Sequence, residues 1–506
     1  MANAGEVELK FETDEGFQLP DMAGLPGVAS VPPAEQWQLE ATYYDTADLR
    51  LARHRHTLRR RTGGHDAGWH LKRPRADGYR DEIQEPLGDA DLVPASLRGF
   101  VEVYTRGRPL VPVVRLTTRR TATTLRDATG RPLVELAADD VTASVLGPSD
   151  GNGDHVSTWH ELEAELVEGD LPLLTEVEAR LLAAGARLSA APSKLARALG
   201  DRLDGRQDGQ EIRRPGLGTA AASVQQYLRS QVETLQVLDP QVRADVPDAV
   251  HQMRVGCRRL RAVLAAYRHV VDAERVEPVR EELRWLGEVL GDARDSEVVR
   301  DRLRTEVRQQ PVELVLGPVE RRIVETFGTR YRQAHDQVLA ELSGKRYFAL
   351  LDALDALVAD PPLGPRALEP ASVVFRNRLG KTYRRTAGHV DQAVAEPNPT
   401  QREHLFHEVR KSAKRARYAA DAATEVIGRP ARRYGKAMKA LQEVLGEHQD
   451  SVVARGELLA LGIAAYGDGE NAFTYGRLHG LEQGRAAAAL AEFDPAWRKV
   501  RRRRVS

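Results

Sequence analysis

The first two hundred residues alternate polar and apolar positions, and the rest of the chain does not. Period-two segments recur at EVELKFE (6–12), TLRRR (57–61), WHLKRP (69–74), PVVRLTTRRT (112–121), PLVELAADD (132–140) and WHELEAEL (159–166), the pattern of strands with two unlike faces. Gly63-Gly64, Asp77-Gly78, Thr129-Gly130 and Asp150-Gly151 supply turns between them. Helices are predicted at about 171–185 and near 193–200. A Gly-rich polar stretch with a proline, residues 205–218, reads as a linker. From 219 onward the chain is rich in Ala, Leu, Arg and Glu at helical spacing, with Pro/Gly breaks at 361–365 and 395–399. The expected class is α+β and multidomain: a strand-built domain over 1–204, then an all-α domain over 219–497. The closing WRKVRRRRVS suggests a basic tail over 498–506.

The helical half is duplicated. VHQMRVGCRRLR and FHEVRKSAKRAR align with one constant offset (407−251, 410−254, 414−258 and 417−261 all equal 156), and LGDARD ending at Asp295 is matched by LGEHQD ending at Asp450. Duplication implies two helical bundles, about 219–360 and 366–497. At 100° per residue, His251, Arg254, Arg258 and Arg261 fall within about 80° of arc, as do His407, Arg410, Lys414 and Arg417. A stripe of like charges is destabilising unless an anion meets it. Neither His251 nor His407 has a carboxylate or second histidine four residues further on (Val255 and Lys411 stand there), which disfavours a metal-ligand role. Lys345-Arg346-Tyr347 and Arg376, Arg378, Lys381, Arg384 and Arg385 are candidates to extend the basic surface.

In the strand half the charged faces are the unusual ones. Glu6, Glu8 and Lys10 share a face, as do Arg59 and Arg61; His70 and Lys72; Arg80 and Glu82; Arg115 and Arg119; Glu135 and Asp139; and Glu161, Glu163 and Glu165. The doubled Arg119-Arg120 leaves either as the inward member. A solvated outer face explains any one strand. The set together suits a single ligand, with carboxylates for hard divalent cations such as Mg²⁺ or Mn²⁺ and basic groups for phosphate oxygens.

Composition sharpens this picture. The 74 basic and 74 acidic residues cancel, so an anion site must be built by local clustering. With 64 Arg and ten Lys, each lysine stands out; Lys10, Lys72 and Lys194 all lie on the charged elements. The lone Cys257 excludes an internal disulfide or multi-Cys metal site. With no signal-peptide pattern and no apolar run of about 20 residues, the expected location is cytoplasmic, without membrane association.

These motifs resemble the CYTH superfamily, the triphosphate tunnel metalloenzymes, over roughly 4–200. Glu6-x-Glu8-x-Lys10 opens the series; Leu58 to Arg61, Trp69 to Pro74, Arg80 to Glu82, Glu135 to Asp139, Glu161 to Glu163 and Ser193-Lys194 follow in family order. The resemblance implies a closed antiparallel β-tunnel holding a linear triphosphate. Glu6, Glu8, Asp139, Glu161 and Glu163 would then bind metal. Arg59, Arg61, Lys72, Arg115, Arg119 and Lys194 would hold phosphate, and Lys10 with Glu6 and Glu8 would stand at the reacting centre. The implied reaction is metal-assisted in-line attack of water on the terminal phosphorus, with inorganic triphosphate the first choice over nucleoside or thiamine triphosphates.

The helical half resembles the CHAD domain, a conserved-histidine α-helical domain, over roughly 219–495. That implies a basic groove for long-chain polyphosphate, with His251, Arg254, Arg258, Arg261, His407, Arg410, Lys411, Lys414 and Arg417 as contacts, and a place at polyphosphate granules. Two alternatives stand beside a triphosphatase tethered to a polymer-binding domain. A polyphosphate scaffold without turnover is one. Nucleic-acid binding is the other, disfavoured because aromatics make up only 5% of the chain and no groove-reading module is present.

Overall fold

Strands that are charged on one side and apolar on the other can be buried only if the apolar side finds a cover, and that requirement shapes the first unit. The computed structural model describes residues 7–74, 80–89, 92–146, 155–204 and 215–505. The chain divides into two units, 1–210 and 211–506; residues 205–214 of the expected linker lie outside the described residues, as do the Asp77-Gly78 and Asp150-Gly151 turns.

The first unit is one antiparallel sheet of β1 (Glu8–Thr13), β2 (Glu35–Asp45), β3 (Thr57–Thr62), β4 (Gly68–Pro74), β5 (Arg80–Glu85), β6 (Val111–Arg126), β7 (Pro132–Val145), β8 (Val156–Leu166) and β9 (Arg187–Leu188). The strands pair in the order β5-β4-β3-β2-β6-β7-β8-β1-β9. The expected closed tunnel is therefore a curled sheet, with β5 and β9 as its edges among the described residues. β9 is two residues long and offers too few ladder groups to complete the ring. The curl still brings Lys72 of β4 within electrostatic reach of Glu165 of β8, and Arg59 of β3 within reach of Glu163.

Register decides which side is wet. Glu135 of β7 lies opposite Glu165 of β8, which lies opposite Glu8 of β1; the intervening Phe11, Val134, Leu136, Leu162 and Ala164 face the other way. That apolar side is covered by α3 (Leu171–Ala183) through Leu173, Leu174, Val177 and Leu181. Asp170 caps this helix by accepting the Leu173 N–H at 3.0 Å. A one-residue slip of β8 would exchange the two faces. The short helices α1 (Arg50–Arg53), α2 (Ala95–Thr105), α4 (Lys194–Leu199) and α5 (Asp201–Asp204) complete the unit. Leu195 and Leu199 of α4 pack among Ala41, Tyr43, Val114, Leu116 and Val141. Strand β2 and helices α1 and α2 were not anticipated from the pattern; β2 turns Leu39 and Ala41 toward the otherwise charged side.

The second unit is helical and twofold in plan. Its first half comprises α6 (Ala220–Arg243), α7 (Ala249–Ala266), α8 (Ala273–Arg308), α9 (Val319–Leu342) and α10 (Lys345–Ala359). The second comprises α11 (Ala371–Ala395), α12 (Pro399–Ala422), α13 (Thr424–Ile427), α14 (Arg429–Gly467), α15 (Phe473–Ala491) and α16 (Phe493–Arg502). Within each half, consecutive long helices pack side by side, and α7 meets α12 across the duplication. The expected basic tail is a correction: α16 runs to Arg502, and buried Phe493 and Val500 anchor it to the core.

A buried ion network ties the halves together. Arg302 of α8 donates to Glu482 of α15 (2.7 Å), to Glu447 of α14 (2.6 Å) and to Ser451 Oγ (2.9 Å). Glu482 is completely buried and its other cation, Arg485, stands 3.7 Å away, so removing Arg302 leaves a buried charge with one distant partner. Arg302→Ala is expected to destabilise the helical unit by about 3 kcal/mol, read from the urea unfolding transition followed by helical circular dichroism.

Candidate functional site

The concave side of the sheet encloses a cavity of about 370 Å³. Lysines, arginines and carboxylates reach it from β1, β3 to β8 and α4. At one side Asp139, Glu161 and Glu163 converge, with one ligand oxygen from each lying within 4.8 Å of the others. Register explains the meeting: Asp139 is paired with Glu161 across β7 and β8, and Glu163 is two residues further along the same face.

Cations fill that convergence. Lys194 Nζ, at the first turn of α4, stands 3.0 Å from Asp139, 2.5 Å from Glu161 and 2.8 Å from Glu163. Ser193 places it there by accepting the Ala196 N–H as the helix cap. Arg120 grips Asp139 through both Nε (2.7 Å) and Nη2 (2.6 Å) and reaches Glu163 at 2.7 Å. Lys10 Nζ lies 2.7 Å from Glu163 and 3.1 Å from Glu8. Trp159 Nε1 donates to the second oxygen of Glu161 at 2.5 Å, fixing that carboxylate.

The titration directions follow from this crowding. Burial opposes the Lys194 charge, but Glu163, Asp139 and Glu161 outweigh it and raise the ammonium above its usual value. Burial likewise opposes ionisation of Glu163, yet Lys10, Lys194 and Arg120 hold it well below the usual carboxylate range. Arg61 shows the reverse: burial, then Arg59 and Arg120, bring its guanidinium down to about 9. Glu165 is pushed up by burial and by Glu8, Glu135 and Glu163, with Lys72 acting against them. The opposite wall, with Arg59, Arg61 and Lys72, is thus rich in cations with few acids; Lys72 stands 3.7 Å from Glu82, Arg61 pairs with Asp66, and Arg59 donates to the Tyr43 hydroxyl at 3.5 Å.

Among the sequence-predicted residues, Glu8, Lys10, Arg59, Arg61, Lys72, Asp139, Glu163 and Lys194 line the cavity, with Glu161 buried at its edge. Glu6 lies outside the described residues. Arg115 and Arg119 are corrected: both are exposed on the outer side, where Arg119 binds Asp140 at 2.5 Å and Asp140 also holds His160 at 2.6 Å. Strand parity is the reason. Leu116, Thr118 and Arg120 form the inward set on β6, so Arg120 is the inward arginine of the doubled pair. Tyr43, Asp66 and Trp159 were missed; only Trp159 carried a signal, its shared parity with Glu161 and Glu163.

In the helical unit the two stripes converge. Lys414 of α12 has Arg254 and Arg258 of α7 and Arg410 and Arg417 of its own helix as its charged neighbours. The repeated Leu-Gly-acid motif explains how the guanidiniums fit. A Cβ at Gly291 would lie 3.2 Å from Arg254 Nη2, a tight contact, so this glycine makes room for its arginine; one at Gly446 would lie 3.6 Å from Arg410 Nε, an ordinary packing distance. Asp295 then receives Arg254 at 2.7 Å. Lys411 is exposed and paired with Glu408 at 2.8 Å, off the converging stripe. Tyr347 is fully buried and Arg346 is tied to Glu282 at 2.6 Å, so neither extends the stripe.

The CYTH domain family matches residues 4–197 and the CHAD domain family residues 226–459. The uncharacterized protein Rv2226 of Mycobacterium tuberculosis is 40% identical over 514 residues, covering 98% of each chain. The chain belongs to the CYTH–CHAD proteins. Among solved structures, PptA from Streptomyces chartreusis aligns with a TM-score of 0.43 at 20% identity, over 55% of this chain and 99% of that one. The CHAD domain from the plant Ricinus communis aligns with a TM-score of 0.43 at 23% identity, over 58% and 97%. No helix among the described residues is long and apolar enough to cross a membrane.

Parity on β6 of the CYTH unit yields a direct test. With tripolyphosphate as the ligand proposed below, Arg120→Ala is expected to weaken its binding about 10- to 100-fold, the loss of one or two hydrogen bonds to a charged group. Arg119→Ala should change it less than about 2-fold, as for an exposed ion pair; isothermal titration calorimetry on both variants checks the contrast.

Proposed function

We propose that the CYTH unit hydrolyses phosphoanhydride bonds of linear triphosphates, inorganic triphosphate foremost, and that the CHAD unit holds long-chain polyphosphate. The observation that carries this reading is the cavity itself: carboxylates converge on one side and a cation-rich wall faces them. A linear polyanion bridged by divalent cations satisfies both walls at once.

The acidic triad fits Mg²⁺ or Mn²⁺. Its hard oxygen donors already enclose one cation, the Lys194 ammonium, so a cation-sized position exists at the convergence. Asp139, Glu161 and Glu163, with Glu8 beside them and Glu6 assigned from the motif, are the proposed ligands. When bound, the metal supplies charge neutralisation and Lewis acidity at the reacting phosphate. The chain's own residues do the rest. Arg59, Arg61 and Lys72 grip phosphoryl oxygens and align the chain for in-line displacement. Lys10 and Lys194 exchange carboxylate partners for phosphate ones, and Trp159 keeps Glu161 aimed. Inorganic substrate is favoured because the aromatic lining groups are engaged: Tyr43 with Arg59, and Trp37 edge-on to His65 at 5.2 Å. This reading places the protein in the cytoplasm, at polyphosphate granules.

Phosphate release from tripolyphosphate, ATP and thiamine triphosphate, with Mg²⁺ and with chelator, tests the activity. Tripolyphosphate should be the preferred substrate, chelator should abolish release, and Glu163→Gln should lower kcat at least about 100-fold. Absence of release by the intact chain would leave a polyphosphate scaffold.

Polyphosphate binding should also depend on pH through Lys414. Burial, then Arg258, Arg410, Arg254 and Arg417, bring its ammonium down to about 7. Its charged form, the one that attracts an anion, is populated below that value and lost above it. Affinity should therefore fall about tenfold from roughly pH 6 to 8, the weight of one charged contact. Lys414→Arg should flatten the profile, because a guanidinium stays charged throughout; fluorescence anisotropy with labelled polyphosphate reads both.

A further inference from the structure

A second group of cations in the CHAD unit stands apart from the α7–α12 stripe. Where α7 ends against α11, a notch is lined by Tyr267, His269, Arg366, Asn377, Arg378 and Lys381. Arg268 and Arg385 stand beside it, within electrostatic reach of Arg378. Arg366 is paired with Glu369 at 2.5 Å. The side chains of Arg268, His269, Arg378, Lys381 and Arg385 make no hydrogen bond or ion pair among the described residues. Arg378 Nε is buried from solvent without a partner. Burial, then Arg268, Lys381, Arg378 and Arg366, lower the His269 imidazole. The wall is rigidly built: Gly364 N–H donates to Val270 O and Arg366 N–H to His269 O, both at 2.8 Å. A Cβ on Gly364 would lie 2.8 Å from the His269 carbonyl, so only glycine lets the strap approach.

The duplication provides an internal control for what the fold itself needs. Helices α6 and α11 begin with reciprocal bonds, Ala220 N–H to Glu369 O and Ala371 N–H to Gly218 O, both at 2.9 Å, which fixes their offset at 151 (371−220). Leu228 and Leu379 are then equivalent, and both are buried. The equivalents of Arg378, Lys381 and Arg385 are Tyr227, Ser230 and Thr234. With the offset of 156 for α7 and α12, the equivalents of Arg268 and His269 are Thr424 and Glu425. All five are neutral or acidic, and Tyr227 lies within electrostatic reach of Asp421, Arg259 and Arg417. The same packing is thus achieved without the cations, so their clustering is not a requirement of the fold. Four neighbouring cations, the exposed Arg268, Lys381 and Arg385 and the half-buried Arg378, with His269 beside them and no acid ion-paired to them, repel one another unless an anion joins them.

We propose that this notch is a second phosphoryl-anion site of the CHAD unit, holding either the flank of a polyphosphate chain or a free phosphate compound. It does not depend on the polymer being the ligand at the α7–α12 stripe.

The full-length chain with ¹³C-labelled histidine tests it, the His269 signal being assigned by its loss in His269→Gln. Inorganic pyrophosphate and long-chain polyphosphate are each titrated in, and the His269 pKa is followed by NMR. A rise with both probes identifies a site open to free phosphate; a rise with the polymer alone identifies a flank site. In Arg378→Gln/Lys381→Gln the rise should vanish. The slope of log affinity for polyphosphate against log salt should also fall by about 1.4, taking roughly 0.7 per phosphate contact as for a single-stranded polyanion. An unmoved His269 with both probes, or a rise that survives the double substitution, overturns the proposal. Where pyrophosphate moves His269 in the intact chain, that response should persist when the stripe is disabled in Lys414→Gln with Arg258→Gln.

Discussion

Three carboxylates share a few ångströms of largely dry space in the CYTH unit, and the rest of that unit is arranged to make this tolerable. Taking Asp139, Glu161 and Glu163 out of water costs several kcal/mol per ion unless each is compensated. Lys194, Lys10 and Arg120 provide that compensation from three separate elements. The arrangement constrains the fold from end to end. Helix α4 must start at Lys194 with its apolar side sunk among Ala41, Tyr43 and Leu116. An ammonium at a helix N-terminus is adverse to the helix dipole, and here the acids offset it. An ensemble neutralised by its own lysines can exchange them for metal and phosphate without unfolding, which is what a site for metal-bridged polyanions requires.

The CHAD unit handles charge in the opposite way. Its stripes gather cations with few acids between them, and small residues rather than counter-ions make the room. Gly291 makes room for Arg254, and Arg410 packs against Gly446 at an ordinary distance, while Asp295 and the half-buried Asp450 stand near them. On the proposed function, carboxylate-lined and cation-lined surfaces on one neutral chain would divide the labour between holding a short polyanion through metal and holding a longer one by direct contact. On the same proposal, carrying both on one chain would raise the local concentration of substrate near the cavity.

Much of this was legible in the residues, and what was not has identifiable causes. Period-two alternation located six of the nine strands because their apolar sides lie against α3 or the core, so each face is chemically uniform. Strand β2 escaped because its Leu39 and Ala41 turn into the cavity, reversing the polarity rule. The doubled Arg119-Arg120 was ambiguous because alternation gives the period of a strand and not its phase; pairing of Arg120 with Asp139 on β7 sets the phase. Closure was over-read, since no local signal reports that an edge strand will stop after two residues. In the helical half the duplication exposed the stripe directly. Val500 marked the supposed tail as a packed helix only once its partners in three dimensions were known.

The central claim is that metal and phosphate enter the cavity on the side of Asp139, Glu161 and Glu163 and face Arg59, Arg61 and Lys72. A crystal of the full chain soaked with tripolyphosphate and Mn²⁺, measured at the manganese edge, tests it most directly. An anomalous peak among the three carboxylates, with Lys194 moved off them and phosphates against the arginine wall, is the expected result. Manganese on the outer face near Asp140 and His160, with the cavity still closed by its own lysines, would contradict it.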